Sequence, residues 1–470
     1  MVMYVPNEPN DFLLGHRTTE ELPSEADVVI VGSGITGASA ARFLLEDKRA
    51  KGLEIVMLEA REVCWGATGR NGGHCQPLLV DSTPDVALFE IRNWETIRDF
   101  IELHHVPCEW RVVEACRTYW SQALADEVSQ RVAHFIVTEP ELASRIKLER
   151  DQVKLRRAHR VNGAPIATLT TNAASLWPYK LITNIIEKLI QGDGINLQTQ
   201  TPVTSIESCG TPTSSARWRL HTSRGSITAR HVILATNGYT SHLLPEFSDL
   251  IVPERGELSA LLPPKNSTRL PNSYGFVGAN DGMPHHDDYL NQRPFSGVPN
   301  PAGHLMFGGG KASATMEHLA TTDDSVIDEG EARYLRRELL HLLDLDGETE
   351  GLQELKATHE WSGIWGTSRD HAPWVGAVPQ RKGVWLAGGY TGHGMPNGTL
   401  CGRAVVEMLL GEESGAPQDY VEEKLVRTGN LPQSYIISEE RIARARELDT
   451  VQEQEAKGWR GPEKPTYLRT

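Results

Sequence analysis

The chain alternates between short apolar runs and longer segments in which apolar residues recur at helical spacing. Residues 27–31 (DVVIV) are a short run rich in β-branched side chains, which is typical of a buried parallel strand. An alanine-rich segment at 35–46 predicts a helix, and residues 54–58 (EIVML) predict a second strand. The folded part of the chain is therefore expected to open with a β–α–β unit, preceded by an irregular arm over residues 1–25.

The same periodicity predicts elements over the rest of the chain. Apolar positions at helical spacing predict helices at 86–104, 122–160, 180–194, 327–345 and near 397–410, and a polar helix from 434 onward. Strand character is found at 107–120, in a meander that ends in a buried strand at 232–235, and at 304–309 and 383–388. These elements predict one large composite domain or two intertwined domains, because 470 residues are many for a single core.

Composition narrows the classes of function. The chain has 47 basic and 62 acidic residues, and this net charge of -15 argues against a nucleic-acid partner and against an anionic membrane surface. No run approaches the roughly 18 apolar residues of a membrane span, and the polar N-terminus has no signal-peptide core. The six cysteines are scattered without a CxxC pair, which predicts reduced thiols and a cytoplasmic protein.

No metal site is predicted from the sequence. No cysteine or histidine spacing typical of zinc occurs. The run His285, His286, Asp287 and Asp288 has residue types that bind metals, but adjacent residues on one loop rarely converge on one ion.

A glycine motif follows the first predicted strand. Gly32, Gly34 and Gly37 form GxGxxG between that strand and the first helix, where glycines allow a tight turn and close approach to a pyrophosphate. The helix N-terminus offers N–H groups and a partial positive charge to the phosphates. Glu59 follows the second strand, 22 residues after Gly37, where its carboxylate can bind a ribose diol. The motif predicts a dinucleotide site and by itself leaves NAD and FAD open.

A second glycine-rich stretch favours FAD. Residues 66–74 (GATGRNGGH) contain small side chains that let the backbone run close to a ribityl chain and offer N–H groups to flavin oxygens. Arg70 and Asn71 can add side-chain hydrogen bonds. A third glycine loop, 389–395 (GYTGHGM), precedes a helix near Asn397 whose positive end would stabilise negative charge on a reduced flavin. Gly402 in that helix is expected to allow close packing on the sheet.

These motifs, in this order, resemble the glycine/D-amino-acid oxidase family of FAD-dependent oxidoreductases, and above all its γ-glutamylputrescine oxidase-like and fungal members. The resemblance spans roughly residues 26–410. Beside the glycine loops, it rests on WPYKL, TPVTSI, HVILATNGYT, PERGE, HLMFGGG and the segments 361–379 and 383–404.

The resemblance implies a fold and a division into domains. The expected fold class is α/β (α+β overall), with a Rossmann-type FAD-binding domain interleaved with a large antiparallel-sheet substrate domain. The implied boundaries are an N-terminal arm at 1–25, an FAD-binding domain at 26–105, 170–256 and 355–425, a substrate domain at 106–169 and 257–354, and a C-terminal helical tail at 426–470.

FAD is the cofactor that the motifs and the resemblance imply. The residues nominated to bind it are Gly32, Gly34, Ile35, Thr36, Gly37, Glu59, Ala60, Arg61, Gly66, Ala67, Thr68, Arg70, Asn71, Gly72, Gly73, His74, Val203, Ala235, Thr236, Gly389, Thr391, Gly392, His393, Gly394 and Met395.

By resemblance, the reaction is oxidation of the C–N bond of a small amine or amino acid. A hydride would pass to flavin N5, the imine would hydrolyse, and O2 would be reduced to H2O2. Two alternatives stay open: an amine dehydrogenase that uses another electron acceptor, and a flavin-binding protein without catalysis. The acidic charge weakly favours cationic substrates, and the oligomeric state is left open.

Six residues are candidates for the catalytic site. His74 is a candidate for contact with the flavin ring, for deprotonation of an amine or for a covalent flavin link, although a histidine bonded to backbone is the alternative. Arg255 is a candidate carboxylate anchor or a structural arginine. The other candidates are Tyr289 and Arg293 as a roof over the substrate, Trp365 as an apolar wall, and His393 in the third glycine loop.

The sequence departs from the family pattern at two places. Members with a cysteine-linked flavin have that cysteine shortly before the position of Asp370, where this chain has residues 363–366 (GIWG). Members that resemble sarcosine oxidase have a lysine in the strand at 304–310, thought to promote reaction with oxygen. This chain has Met306 there, with Lys311 beyond it.

Overall fold

The computed structural model describes residues 8–209, 217–279, 287–295 and 303–458. The strands, in chain order, are β1 Glu25–Val31, β2 Ile55–Leu58, β3 His74–Cys75, β4 Arg111–Tyr119, β5 Ile146–Glu149, β6 Ile166–Ser175, β7 Asn196–Gln198, β8 Val203–Ser208, β9 Trp218–Thr222, β10 Gly225–Leu234, β11 Ile251–Leu261, β12 Asn272–Val277, β13 Asp287–Gln292, β14 Leu305–Gly309, β15 Ala357–Ser368, β16 Trp374–Ala377 and β17 Val384–Gly388.

The helices lie between these strands and after them. In chain order they are α1 Ile35–Glu46, α2 Ala67–Arg70, α3 Pro84–His104, α4 Gln122–Thr138, α5 Pro140–Ala143, α6 Gln152–His159, α7 Pro178–Gln191, α8 Thr240–Leu243, α9 Glu329–Leu342, α10 Gly398–Glu413, α11 Gln418–Arg427, α12 Glu439–Glu447 and α13 Val451–Ala456. The predicted opening β–α–β unit is confirmed.

Two predicted helices are wrong in their extent. The segment 122–160 is interrupted by β5, which pairs antiparallel with β6. The segment from 434 onward contains two helices, because a capping box at Thr450 starts α13 after α12 has ended. In both places a tertiary or capping contact competes with helical periodicity.

The first sheet places the predicted dinucleotide site at the carboxyl ends of its parallel strands. Its order is β16-β17-β10-β1-β2-β7, with β8 and β9 attached through β10. β1 lies between β10 and β2 and is parallel to both, and its core residues Val28 to Ile30 are fully buried. Strands covered on both faces read as continuous apolar runs, which is why the sequence predicted this sheet well.

Helices α1 and α10 pack against each other over this sheet. A Cβ at Gly402 would lie 2.7 Å from the carbonyl oxygen of Thr36 in α1. The expectation that Gly402 packs on the sheet is therefore wrong, because its close neighbour is a helix. The contact joins the helix after the first glycine loop to the helix after the third.

The second sheet is large and mostly antiparallel. Its order is β15-β11-β14-β13-β12-β4-β6-β3, with β5 paired to β6. Only the pairing of β4 with β12 is parallel among its described strands. Together the two sheets confirm the predicted fold class of a Rossmann-type unit interleaved with a large antiparallel sheet.

The boundaries between the domains stay a prediction. The tertiary structure adds that β15 (Ala357–Ser368) pairs with β11 in the second sheet, although 355–425 was assigned to the FAD-binding domain. The chain returns to the first sheet only at β16.

The C-terminal tail packs on the body of the protein over its described part. Arg441 is buried, and its guanidinium donates to both carboxylate oxygens of Asp370, at 2.8 and 3.0 Å, and stacks 3.8 Å from the centre of the Trp374 ring. Tyr435 donates to Asn397 Oδ1 at 2.9 Å, at the start of α10. The tail thus supports the segment that contains the third glycine loop.

Among the described residues, no helix combines the length and apolar character that spanning a membrane requires. All six cysteines are free thiols. The cytoplasmic location stays a prediction.

Candidate active site

The first glycine loop is built so that backbone approaches backbone closely. A Cβ at Gly37 would lie 2.0 Å from the carbonyl oxygen of Gly32, and one at Gly32 would lie 2.7 Å from that of Ala235. Gly32 also has φ of +105°, which side chains rarely adopt. Gly34 is the N-cap of α1 and offers no side chain to the first N–H groups. The N-terminus of α1 therefore keeps donors and a positive dipole end for a ligand.

The carboxylate of Glu59 is oriented by neighbouring backbone. Its Oε2 accepts from the N–H of Ser33 at 3.0 Å and from the hydroxyl of the same residue, and its Oε1 accepts from the N–H of Arg61 at 2.8 Å. Thr201 donates its N–H to the carbonyl of Glu59, two residues before Val203 opens β8. Ala60 is exposed at this turn, and Thr236 lies beyond β10 with its hydroxyl 2.9 Å from that of Thr240.

The second glycine loop is closed by its own side chains. Asn71 accepts from the N–H of Gly73 and donates to the carbonyl of Thr68. A Cβ at Gly73 would lie 1.9 Å from the carbonyl oxygen of Leu176, so only glycine fits. The hydroxyl of Tyr289 accepts from the N–H of Gly72 at 2.9 Å. The predicted side-chain hydrogen bonds of Asn71 are thus used to shape the loop.

Arg70 is also committed to the protein. It is buried, and its guanidinium donates to the carbonyls of Trp65 and Ser362, at 2.9 and 2.7 Å. Its Nη2 lies 3.5 Å from Asp324, which pairs with Arg61 at 2.6 Å. Two arginines nominated for cofactor binding therefore share one carboxylate of the segment between β14 and α9.

The three glycine loops meet around the start of α1. Ile35 donates its N–H to Thr68 Oγ1 at 3.1 Å, which joins the first loop to the second, whose N-terminal residues Gly66 and Ala67 start α2. The hydroxyls of Thr36 and Tyr390 are 2.8 Å apart and join the first loop to the third.

Two side chains of α3 contact the third loop. The carbonyl of Met395 accepts from Asn93 at 3.0 Å, and His393 Nε2 lies 3.2 Å from the buried carboxylate of Glu90. Two glycines of the loop, Gly389 and Gly392, have positive φ. Thr391 donates to the carbonyl of Gly366.

His74, the last residue of the second glycine-rich stretch, is half-buried. Its ring stacks on that of Tyr289, with the ring centres 5.7 Å apart, and its Nε2 has no hydrogen-bond partner. Burial, aided by the nearby charges of His393 and Arg117, lowers the pKa of His74 to about 3. The imidazole is therefore neutral at physiological pH. Burial raises the pKa of Tyr289 to about 12, so its phenol also stays neutral.

A cavity of about 240 Å³ opens beside the second loop. One part of its lining is Gly69–Gly72 with Met306 and Trp361, and another part contains Glu109, Arg293 and Trp177. The remaining lining residues are Ser175, Leu176, Pro178, Ala260, His304, Asp324, Ser325, Ile327, Thr358, His359, Glu360 and Ser362.

Arg293 lines the cavity, and its role as a roof over the substrate stays a prediction. Its Nη2 and Nε donate to the two carboxylate oxygens of Glu109, at 2.5 and 3.1 Å, and its guanidinium stacks 4.0 Å from the centre of the Trp177 ring. Arg293 is therefore fixed in orientation by a bidentate pair and an aromatic face.

Two other candidates lie elsewhere. Arg255 is buried and donates to the carbonyl of Glu317 at 3.0 Å. Trp365 packs over Gly256, where a Cβ would lie 2.0 Å from its ring, and donates to Thr367. Neither is among the described residues that line the cavity.

Sequence reasoning missed several cavity residues. Trp361 was not among the candidate residues, yet its Nε1 donates to the carbonyl of Arg70 at 2.8 Å. Glu109 has positive φ and lies in a short connection without a motif. His304 precedes β14 directly, and its buried Nδ1 has no hydrogen-bond partner. Only pairing across the second sheet brings these residues together.

The metal-like run has other partners over its described part. His285 and His286 lie outside the described residues. Asp287 pairs with Arg117 at 2.6 Å, and Asp288 accepts from Tyr334 at 2.5 Å. In the described part of the chain no group of three or more His, Cys, Asp or Glu side chains could hold a metal ion.

The residues present fit FAD. The uncapped start of α1 and the glycines around it suit a pyrophosphate, and the oriented carboxylate of Glu59 suits a ribose diol. At the second glycine loop, the buried Nε2 of His74 has no hydrogen-bond partner and can bond a polar atom of the flavin ring. The model of the family described as DAO, FAD dependent oxidoreductase, matches residues 27–408.

The chain belongs to this family. FAD is its cofactor, and the protein is an oxidoreductase enzyme. The match runs from β1 into α10 and so contains all three glycine loops and both sheets.

Curated relatives match over most of their length. The chain is 24% identical over 411 residues to the protein named "Probable oxidoreductase OrdL" of Rhizobium meliloti, covering 83% of this chain and 84% of that protein. It is 24% identical over 415 residues to the γ-glutamylputrescine oxidoreductase of Escherichia coli, covering 82% of this chain and 84% of that protein.

Solved structures show the same fold at low identity. The glycine oxidase from Geobacillus kaustophilus superimposes with a TM-score of 0.65 at 19% identity, covering 83% of this chain and 95% of that one. This likeness confirms the predicted fold.

Proposed function

We propose that this enzyme oxidises the C–N bond of an amine or amino acid and that O2 is its electron acceptor. The proposal rests on one observation above all: the charged and aromatic cavity opens directly onto the second glycine loop at Gly69–Gly72. The names of the relatives, γ-glutamylputrescine oxidoreductase and glycine oxidase, support an amine or amino acid as substrate.

FAD, when bound, would supply the two-electron oxidation of the C–N bond to an imine; water would hydrolyse the imine, and O2 would take up the two electrons with two protons to give H2O2. The residues of the chain have to bind the substrate, orient it and exclude bulk water. Trp177 and Trp361 supply large aromatic faces to the cavity wall. Arg293 and Glu109, joined by a bidentate pair, also line the cavity.

We assign His74 the role of a hydrogen-bonding residue at the flavin ring, and not the role of a general base. A histidine with a pKa of about 3 is a poor proton acceptor near neutral pH. A hydride donor with a neutral amine needs little acid–base help from the protein. The unpartnered Nε2 is then available to orient a polar group.

An amine dehydrogenase is the second candidate, and it is favoured by the surroundings of Lys311. Its Nζ lies 2.8 Å from Glu254 Oε1 and 2.8 Å from Glu455 Oε2, and it is not among the described cavity-lining residues. Met306 lines the cavity in the strand where oxidases with a reactive lysine have that residue. Fast reaction with O2 would then need another source of positive charge, for which Arg293 is available.

An anaerobic titration tests the proposal. The purified protein, loaded with FAD, is mixed with a panel of amines and amino acids without oxygen while the long-wavelength flavin absorption is followed. Bleaching by one class is the expected result. Rapid return of the colour in air, with H2O2 formed, supports the oxidase, and slow return supports the dehydrogenase.

A flavoprotein that no amine or amino acid reduces would contradict both candidates. Free FAD with the same panel is the control for direct reduction. A Gly37→Ala variant that has lost FAD is the control for the protein background, since it keeps the cavity residues.

A further inference from the structure

The part of the cavity wall formed by His304 and Arg293 contains a buried polar atom that has no hydrogen-bond partner in the described protein. His304 is 6% exposed, lines the cavity, and its Nδ1 has no hydrogen-bond partner. Its backbone is fixed, because its carbonyl accepts from the N–H of Arg293 at 2.9 Å. Buried polar atoms are nearly always paired, so an unpaired one in a cavity wall indicates a ligand atom.

The position of His304 in the chain gives its approximate distance from the second glycine loop. Met306 contacts that loop, since a Cβ at Gly72 would lie 3.4 Å from its Cβ. His304 precedes Met306 by two residues, so both side chains project to the same side of the sheet. Two residues of extended chain span roughly 7 Å. His304 thus lies about that far from the loop, toward Arg293.

Positive charge predominates around His304 and Arg293. Arg293 is in the cavity wall, and Arg111 lies directly behind it, donating to the hydroxyl of the lining residue Ser175 at 3.2 Å. Burial and the like charges of Arg269 and Arg293 lower the pKa of Arg111 to about 10, against the single opposing carboxylate of Glu109. A group that binds here and carries negative charge would relieve this repulsion.

A cationic group is disfavoured at the same place. Both carboxylate oxygens of Glu109 are already occupied by Arg293. Burial and the charge of Arg293 lower the pKa of His304, so its ring is neutral. A neutral imidazole can donate one N–H to a carboxylate, and the adjacent arginines supply the charge.

We propose that His304 is a specificity-determining residue that binds a carboxylate of the substrate remote from the reacting C–N bond. The proposal rests on the proposed function, since it names the substrate class: an amine that bears a carboxylate several bonds from the oxidised carbon, separated from it by about 7 Å. The amine end lies at Gly72 and Met306, and the carboxylate end lies at His304 and Arg293.

Binding of compounds that cannot be oxidised tests this assignment separately from turnover. Pentanoate and its neutral amide, pentanamide, are titrated into the FAD-loaded enzyme, and each dissociation constant is read from the change in the flavin spectrum. We expect pentanoate to bind at least about tenfold more tightly than pentanamide, as a charge-assisted hydrogen bond requires. Equal affinities overturn the proposal whether or not amines reduce the flavin.

Variants at position 304 assign the effect to the side chain. In His304→Ala the preference for pentanoate should fall to within about twofold, whereas His304→Gln, which keeps a donor, should restore part of it. His341→Ala removes an exposed histidine from α9 and should keep the wild-type ratio. Thermal unfolding checks that each variant is folded. A full preference in folded His304→Ala would exclude His304 as the carboxylate ligand.

The same variants separate binding from chemistry once a substrate is known. For an amine with a remote carboxylate, His304→Ala should raise KM by about tenfold and leave kcat within about twofold, since the contact is made equally in the ground and transition states. For the matched substrate with an amide in place of the carboxylate, KM should not change. A fall in kcat for both substrates would contradict a role in specificity.

Discussion

The hydrogen bond between Tyr289 and the second glycine loop gives the sharpest test of how the second sheet shapes the cofactor site. The phenol oxygen accepts from the N–H of Gly72 at 2.9 Å, and the ring stacks on His74. Tyr289→Phe removes the oxygen and keeps the ring. The backbone N–H of Gly72, a buried residue, then loses its partner.

The cost follows from the geometry. A buried N–H left without a partner costs about 1–3 kcal/mol, because the desolvation penalty is no longer offset. The ring of residue 289 should still stack on His74, so the substitution should destabilise the conformation of the loop and not the packing of the core. If FAD requires the loop in this conformation, its dissociation constant should rise by the factor that corresponds to this free energy, about 5-fold to about 150-fold.

Reconstitution of the apoprotein measures this effect. FAD is titrated into wild type and Tyr289→Phe, and binding is followed by quenching of the flavin fluorescence. Tyr274→Phe is the matched control: its hydroxyl is also buried and donates to the carbonyl of His159 at 2.9 Å, but it lies in β12, away from the glycine loops. We expect the control to lower thermal stability and leave the dissociation constant of FAD unchanged.

An unchanged dissociation constant in Tyr289→Phe would refute the reasoning. It would mean that the loop holds its shape without the second sheet. Equal losses of affinity in both variants would also refute it, because the effect would then reflect general stability.

Three further predictions concern the glycine loop, the tail and a buried acid. Gly37→Ala should abolish retention of FAD, measured as the ratio of flavin to protein absorbance, because the new Cβ would lie 2.0 Å from the carbonyl oxygen of Gly32. Lys311→Met should lower the free energy of unfolding by about 3–5 kcal/mol, because Glu254 is 3% exposed and would lose its cation, while the rate of reoxidation by O2 stays unchanged. Burial, with like charges nearby, raises the pKa of Glu331 from 4.5 to about 8. Between these two pH values the folded state holds a proton that the unfolded state has lost, so the free energy of unfolding should fall as the pH rises from about 4.5 to about 8. Glu331→Gln should flatten this dependence of the melting temperature.

Each of these predictions has a matched control. Gly52→Ala changes a glycine that has open space around it, so this variant should keep FAD. Lys457→Met removes a lysine whose side chain is 64% exposed, and it should cost less than about 1 kcal/mol. Glu329→Gln lies on the same helix as Glu331 with its side chain 65% exposed, and it should leave the pH dependence intact. Contrary results in the controls would show that the effects are not specific to the named contacts.

The elements near the first glycine loop were predictable because their signals are local. The run Glu25–Val31 and the helix Ile35–Glu46 lie close to their predicted bounds, since burial on both faces gives a strand a continuous apolar run and glycine marks the turn. The segment 122–160 was not predictable in the same way. Its residues 146–149 form a strand only because β6 offers a partner.

The candidate catalytic residues show the same division. Arg293 and Trp365 were chosen from similar evidence, yet one lines the cavity and the other packs over Gly256. Alternation along a strand sends neighbouring side chains to opposite faces, and the sequence does not say which face meets the cofactor. Glu109 lies in no motif, and His304 opens the segment HLMFGGG without being marked there as a cavity residue.

The sequence by itself determined the family, the cofactor and the three glycine loops, because close backbone approach to a dinucleotide requires glycine at fixed spacing. It also determined the class of fold, through apolar runs that suit buried parallel strands. Only the tertiary structure decided which side chains surround the substrate. Those side chains come from distant segments joined by pairing across the second sheet, and such long-range pairing leaves no local mark on the residues that it brings together.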